Sequence, residues 1–248
     1  MPFPSFEPPP LDLALRDGDV HVWVGELDKT VSELYRFMHP LSSDERMRAE
    51  RFHFEKDRNR FIVRHGILRM ILGHYLDLDA NRLRFHHGEN GKPVLNETLG
   101  NVDIKFNLSH SNGVALFAFA RYSDIGVDIE YIRDISEMDL LAERYFSITE
   151  YDVFLSIPKN QRKEAFFKCW TCKEAFVKAL GDGLSWSLDK FDVSMVPGES
   201  GKLLRIKGDS REASQWFIHT FNPTPDYVGS IAVRSRIPKI RCWRWDIF

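Results

Sequence analysis

The sequence predicts an α+β fold with an internal duplication of its elements, and three observations carry that reading. Two long segments, about Asp57 to Leu76 and about Gln161 to Leu180, are helical in pattern; in the first, Phe61, Leu68, Leu72 and Tyr75 recur at helical spacing. The order strand, short helix, long helix, strands is met twice along the chain. Local echoes accompany it: Glu50-Arg51-Phe52 precedes the first long helix as Glu143-Arg144-Tyr145-Phe146 precedes the second, and Leu72-Gly73 matches Leu180-Gly181 as a helix-ending turn.

Met1 to Pro10 is proline-rich and suits neither helix nor central strand, so residues 1–19 are expected as an extended arm. Val20 to Glu26 reads as a strand, and Ser42 to Phe52 as a short helix with Ser42, Ser43 and Asp44 available to cap it. The long helix follows, with Arg60 and Arg64 one turn apart on a stripe of their own. Weaker strands near Arg82 to His86, Ile104 to Leu108 and Val114 to Arg121 complete a first half at residues 20–122. Residues 123–248 form the second half. It opens with strand Ile125 to Glu130 and continues with a short helix about Ser136 to Arg144 and the second long helix. Strands at Phe191 to Val196, Lys202 to Lys207, Gln215 to Phe221, Val228 to Val233 and Lys239 to Trp245 follow.

Composition narrows the function. With 248 residues and 43% hydrophobic content, the chain can bury one large core or two small ones. A net charge of −2 argues against bulk attraction to nucleic acid or anionic membrane. The arginines between Arg46 and Arg69 alternate with Glu50, Glu55 and Asp57, so they lack the one-sided basic stripe of a nucleic-acid module. No secretory signal opens the chain and no apolar run approaches the roughly 18 residues of a membrane span, so the cytoplasm is expected. Three cysteines are too few for a disulfide framework. Cys169-Trp170-Thr171-Cys172 has redox spacing but lies inside a helical pattern, where packing thiols are the better account.

Chemistry concentrates in two segments. Ile125-Gly126-Val127-Asp128-Ile129-Glu130, as a strand, sends Val127 and Ile129 to one face and Asp128 and Glu130 to the other. Trp170-Thr171-Cys172-Lys173-Glu174-Ala175-Phe176-Val177-Lys178, as a helix, sets Glu174 and Lys178 side by side. Three carboxylates without histidine or cysteine suit a hard cation such as magnesium, which keeps waters and takes phosphate oxygens. A magnesium-dependent phosphohydrolase would share these carboxylates and differ in its nucleophile.

Together, the two segments closely resemble the signature blocks of the Sfp-type 4′-phosphopantetheinyl transferases. Phe106-Asn107-Leu108-Ser109-His110-Ser111 and Gly91-Lys92-Pro93 are similar to further blocks of that family, in the family's order. The resemblance runs from about Leu41 to Asp192. It implies two pseudo-symmetric α+β halves with an active site between them, and transfer of the phosphopantetheine arm of coenzyme A to a carrier-protein serine. Asp128, Glu130 and Glu174 would be the magnesium ligands, with Lys178 near the pyrophosphate and the departing adenosine 3′,5′-bisphosphate. Either Glu174, or Glu130 through a water, would take the serine proton. Coenzyme A contacts would come from Arg48, Arg60, Arg64, Lys92, Ser109, His110, Lys173 and Lys178. Glu45 stands where some relatives carry a lysine, and Phe61 where some carry a threonine. His86 and His87 receive no role.

The resemblance also implies a partner. Carrier domains present their serine at the start of an acidic helix, so an apolar patch edged by cations is expected beside the metal, with Tyr131, Ile132 and Arg133 as candidates. Fatty acid, polyketide and nonribosomal peptide carriers are all open, and length favours a monomer of broad tolerance.

Overall fold

The computed structural model describes residues 3–87, 92–96, 103–181, 186–196 and 198–245. The first half runs β1 (Asp19–Glu26), α1 (Val31–Met38), α2 (Ser43–Glu50), α3 (Glu55–Leu76), β2 (Phe85–His87), β3 (Pro93–Leu95), β4 (Ile104–Ser111) and β5 (Val114–Arg121). The second runs β6 (Ile125–Tyr131), α4 (Met138–Tyr145), α5 (Ile148–Ser156), α6 (Lys159–Leu180), β7 (Phe191–Val193), β8 (Leu203–Ile206), α7 (Ser210–Ala213), β9 (Phe217–Phe221), β10 (Tyr227–Val233) and β11 (Lys239–Arg244). The α+β class is as expected.

Four layers build the body. One sheet has the order β11-β1-β5-β4 and the other β6-β10-β9. Strand alternation gives each sheet two apolar faces. Val22, Val24, Leu116 and Ala118 of the first sheet meet Val127, Ile129 and Ile231 of the second in a shared core. Trp23, Phe117 and Phe119 point the other way, onto Ile67, Ile71 and Leu72 of α3. Val228 and Ala232 likewise pack with Phe176 and Ala179 of α6. The result is helix, sheet, sheet, helix.

Both halves repeat one buried device. Ser42 caps α2 and Ser147 caps α5, each with a reciprocal glutamate three residues on, Glu45 and Glu150. Those glutamates also meet a cation of the long helix: Arg69 Nε stands 2.6 Å from Glu45, and Lys173 Nζ stands 2.7 Å from Glu150. Each cation donates to two carbonyls around a following 3₁₀ turn, Arg69 to Ala80 and Leu83, Lys173 to Leu188 and Phe191. Counting from Glu55 and from Lys159, Arg69 and Lys173 are both the fifteenth residue of a 22-residue helix. Removing one partner of such a buried pair leaves an uncompensated charge, at a cost of roughly 3–5 kcal/mol.

Several expectations are corrected. The strand expected over Lys239 to Trp245 belongs to the first sheet, not the second half: β11 pairs in parallel with β1, from Asp19 with Lys239 to Val24 with Arg244. Parallel pairing at that separation leaves no local signal. Leu72-Gly73 does not end α3, which continues to Leu76 and stops at Asp77 in the left-handed region (φ 50°). Gly73 is instead required where the chain folds back, because a Cβ there would lie 2.7 Å from the Leu78 carbonyl. The turn after β4 is the two-residue Asn112-Gly113 hairpin (φ 40° and 90°), so Ser109 and His110 lie within the strand. Helices α1 and α5 are additional, although Ser147-Ile148-Thr149-Glu150 carries the capping-box spacing. At the other end, the arm lies on the body: Glu7 bridges Trp243, and the Phe3 ring stacks on Phe221 at 3.9 Å.

Helix α6 lies unusually close to β6. A Cβ added at Gly126 would fall 2.0 Å from the Ala175 carbonyl oxygen and 2.4 Å from the Ala179 amide nitrogen. Only glycine on the strand and alanines on the helix permit that approach. Replacing Gly126 by Ala should therefore destabilise the fold by about 1–3 kcal/mol, read as a lower urea midpoint, whereas Gly18→Ala, with nothing within 4 Å of its Cβ, would show only the smaller backbone penalty of its φ of 78°.

Candidate active site

From Ala165 to Ala179, α6 is buried almost all round; the exceptions are Trp170, Glu174 and Lys178, spaced four apart. That spacing puts the three on one stripe of the helix. Opposite them, β6 turns Val127 and Ile129 into the inter-sheet core, which leaves Asp128 and Glu130 on the α6 side. Leu108, Ser109 and His110 of β4 and Arg64 of α3 close a cleft of about 520 Å³. The two halves thus meet at the site.

Asp128 is the hub. It is 4% exposed, and its Oδ1 accepts from Lys178 Nζ at 2.6 Å and from Ser109 Oγ at 2.7 Å. Lys178 Nζ also donates to Ser109 Oγ at 3.1 Å. The second oxygen, Oδ2, is buried without a hydrogen-bond partner among the described residues. Glu130 Oε2 accepts from Ser111 Oγ at 2.9 Å and stands 3.6 Å from Arg133.

Charge in the cleft is unbalanced. Burial raises the Glu130 carboxyl above the usual glutamate range, with Asp128 as the next contributor. Glu174 is raised by burial and then by Asp128, with Glu130 adding to it and Lys178 opposing. Three carboxylates therefore press on one another with Lys178 as the ammonium among them. As they stand, no three His, Cys, Asp or Glu side chains among the described residues are gathered tightly enough to hold a metal ion. The donor chemistry nevertheless fits a hard divalent cation: all-oxygen ligands, one buried carboxylate oxygen with no partner among the described residues, and mutual repulsion that a dication would relieve.

Cations lie on the first-half side. Burial, then Arg48, lowers Arg64 to about 10, and its Nε is buried without a partner among the described residues. Arg64 and Arg48 both stand over the Phe61 ring, at 5.6 and 5.7 Å. Desolvation, with Arg64, Lys178 and Arg60, lowers His110 to about 4, so its imidazole is neutral at pH 7 and donates through one ring nitrogen only. Arg60 forms a two-pronged pair with Asp28 at 2.6 and 2.7 Å, against the Asn112-Gly113 hairpin.

Two expected coenzyme A contacts are used elsewhere. Lys173 is fully buried on another face of α6, holding Glu150 and two carbonyls, so it does not reach the cleft. Its neighbour Glu174 does, because adjacent helix positions differ by about 100°. Lys92 donates to the carbonyls of Ile125 and Lys178, and burial lowers it to about 8. There it satisfies the last turn of α6 and joins the halves. Gly91 lies outside the described residues. Glu45 is committed to Arg69, and the Phe61 ring packs against Phe52. Sequence reading missed Trp170 as a wall of the cleft, although its spacing of four from Glu174 was the available signal. Ser111 and Asn107 were missed too, since a polar residue on a strand does not announce what it faces.

Comparison with known proteins gives the family of the chain. Residues 124–232 match the 4′-phosphopantetheinyl transferase superfamily, and residues 27–121 match the family described as 4′-phosphopantetheinyl transferase, N-terminal. The chain is 38% identical to the 4′-phosphopantetheinyl transferase HetI of Nostoc sp. over 91% of its length and 92% of HetI. It is 33% identical to the 4′-phosphopantetheinyl transferase Sfp of Bacillus subtilis over 81% of its length and 86% of Sfp. A holo-(acyl-carrier-protein) synthase from Bacillus anthracis, solved in complex with CoA (3′,5′-ADP), matches 44% of this chain and 93% of its own, at 21% identity and a TM-score of 0.35. The protein belongs to the 4′-phosphopantetheinyl transferase superfamily. It is accordingly a transferase enzyme. No helix among the described residues is long and apolar enough to cross a membrane.

The imbalance of charge is open to direct measurement. In Asp128→Asn, the carboxyls of Glu130 and Glu174 should both titrate at lower pH than in the metal-free wild type, followed by carboxyl-carbon NMR. Unchanged titration of both would show that Asp128 does not press on them.

Proposed function

We propose that the enzyme moves the 4′-phosphopantetheine arm of coenzyme A onto a serine of an apo acyl or peptidyl carrier protein, with Mg²⁺, and releases adenosine 3′,5′-bisphosphate. The convergence of Asp128, Glu130, Glu174 and Lys178 from two elements onto one cleft carries the reading. Asp128, Glu130 and Glu174 would hold the ion, which when bound supplies positive charge to the pyrophosphate and to the departing oxygen. Asp128 keeps Lys178 at the cleft wall, where its ammonium can stabilise or protonate the leaving bisphosphate. Arg64 and Arg48 are suited to the 3′-phosphate, because guanidinium matches a phosphate fork. Arg60, Ser109 and His110 complete the proposed coenzyme A surface, with Ser109 and His110 presented by β4.

The attacking serine hydroxyl must lose its proton as it reaches the β-phosphorus. Glu174 is our choice of base and Glu130 through a water the alternative; the raised affinity of both for protons suits the task. The carrier would dock against Tyr131, Ile132 and Arg133, which follow the carboxylates directly; Tyr131 packs on Tyr227 at 5.2 Å and Arg133 is exposed. We read the protein as a cytoplasmic monomer, in keeping with its free, buried cysteines and with β11 covering the outer edge of β1.

Weighing an apo carrier domain after incubation with enzyme, coenzyme A and Mg²⁺ tests the reading, with a mass gain of one arm expected. Glu174→Gln should slow that gain by about 10²-fold or more; transfer at the wild-type rate would remove its role. Arg64→Met should raise the KM for coenzyme A about tenfold and leave dephospho-coenzyme A nearly unchanged, and equal weakening of both would exclude a 3′-phosphate contact.

A further inference from the structure

Strands β4 and β6 lie side by side yet belong to different sheets. Side chains rather than backbone join them. Asn107 Oδ1 accepts from the Val127 amide at 2.9 Å, Ser109 Oγ donates to Asp128 Oδ1 at 2.7 Å, and Ser111 Oγ donates to Glu130 Oε2 at 2.9 Å. Residues 107, 109 and 111 fall at period two, so all three leave β4 on the same side. Polar groups at these alternate positions replace the backbone ladder that would otherwise zip the strands together, and each reaches β6 at or beside a carboxylate.

We propose that Ser111 is a positioning residue that sets the Glu130 carboxylate for its ion. The inference rests on the assignment of Glu130 as a ligand made above. Ser111 differs from its neighbours in holding two points of one unit: it donates to the Glu130 side chain and accepts from the backbone N–H of Tyr131 at 3.1 Å. With its lone pair engaged by the rigid strand, the hydroxyl hydrogen is aimed at the carboxylate. Glu130 has three side-chain torsions, and its other polar contact among the described residues, Arg133, is an exposed arginine at 3.6 Å that cannot define a direction as closely. Both contacts fall on Oε2. Ser111 therefore selects one orientation of a side chain that would otherwise sample several, as partners behind metal ligands do.

Binding of Mn²⁺ to the full chain in the presence of coenzyme A, followed by electron paramagnetic resonance of the free ion, tests this without recourse to turnover. Ser111→Ala should weaken Mn²⁺ about tenfold and raise by a similar factor the Mg²⁺ concentration needed for half-maximal transfer, with the KM for coenzyme A little changed. Ser111→Thr, which keeps the hydroxyl, should restore both, whereas Ser111→Val, of the same shape without it, should behave as Ala. That pair decides the matter even where Ala perturbs the fold, provided urea midpoints of Thr and Val agree. If Glu130→Gln binds Mn²⁺ like wild type, the assignment of the ligand itself is wrong. If Glu130→Gln loses the ion while Ser111→Val keeps wild-type affinity, the ligand stands and the role of Ser111 is refuted.

Discussion

The near-contact of α6 with β6 is the constraint on which the rest depends. Gly126 gives the strand no side chain where the helix crosses, and Ala175 and Ala179 give the helix almost none. Backbones then approach closely enough for Glu174 and Lys178 to share a cleft with Asp128. Had the strand carried a branched residue at 126, the helix would stand off and Lys178 would lose its 2.6 Å contact. The first half supplies the comparison. There Trp23, Phe117 and Phe119 fill the space between sheet and α3, and among the described residues that helix gathers no carboxylate cluster with its sheet.

The same comparison shows why one chain with two similar halves has one candidate site. Antiparallel pairing relates β1 to β5 and β4 as it relates β6 to β10 and β9. On β6, the edge away from β10 faces β4 through side chains and leaves an opening. The corresponding edge of β1 is closed by β11 in continuous parallel register. Backbone ladder in one place and side-chain ladder in the other thus separate a closed seam from the one that holds the candidate site.

Burial and charge are set against each other in that seam. A cleft floor holding three carboxylates is costly unless cations answer it, and Lys178 answers only in part. The first half contributes Arg64 and neutral His110 to the opposite wall, with Arg48 beside Arg64 over the Phe61 ring. An anionic ligand bearing several phosphates complements the second group, and a dication complements the first. Arg64 and the three carboxylates are therefore supplied by different halves, which makes their docking a requirement for the site. Lys92, tied to carbonyls on both β6 and α6, is part of what holds that docking.

Much of this was legible in the residues. Alternation in Val127-Asp128-Ile129-Glu130 determined which side chains share a face, and the spacing of Glu174 and Lys178 determined that they project together, because strand and helix periods are local properties of backbone geometry. Capping residues located α2, and the same pattern was present, unread, at Ser147. What the sequence could not decide were relations between segments far apart in the chain. Lys173 and Glu174 are adjacent in the helix, yet one is sealed behind it and the other lines the cleft, since only the packing of α6 determines which stripe is left open. Likewise Lys92 became a tie between halves, β11 joined the first sheet, and Ser111 found Glu130. Each of these depends on which surfaces meet when the layers close, and only tertiary packing decides that.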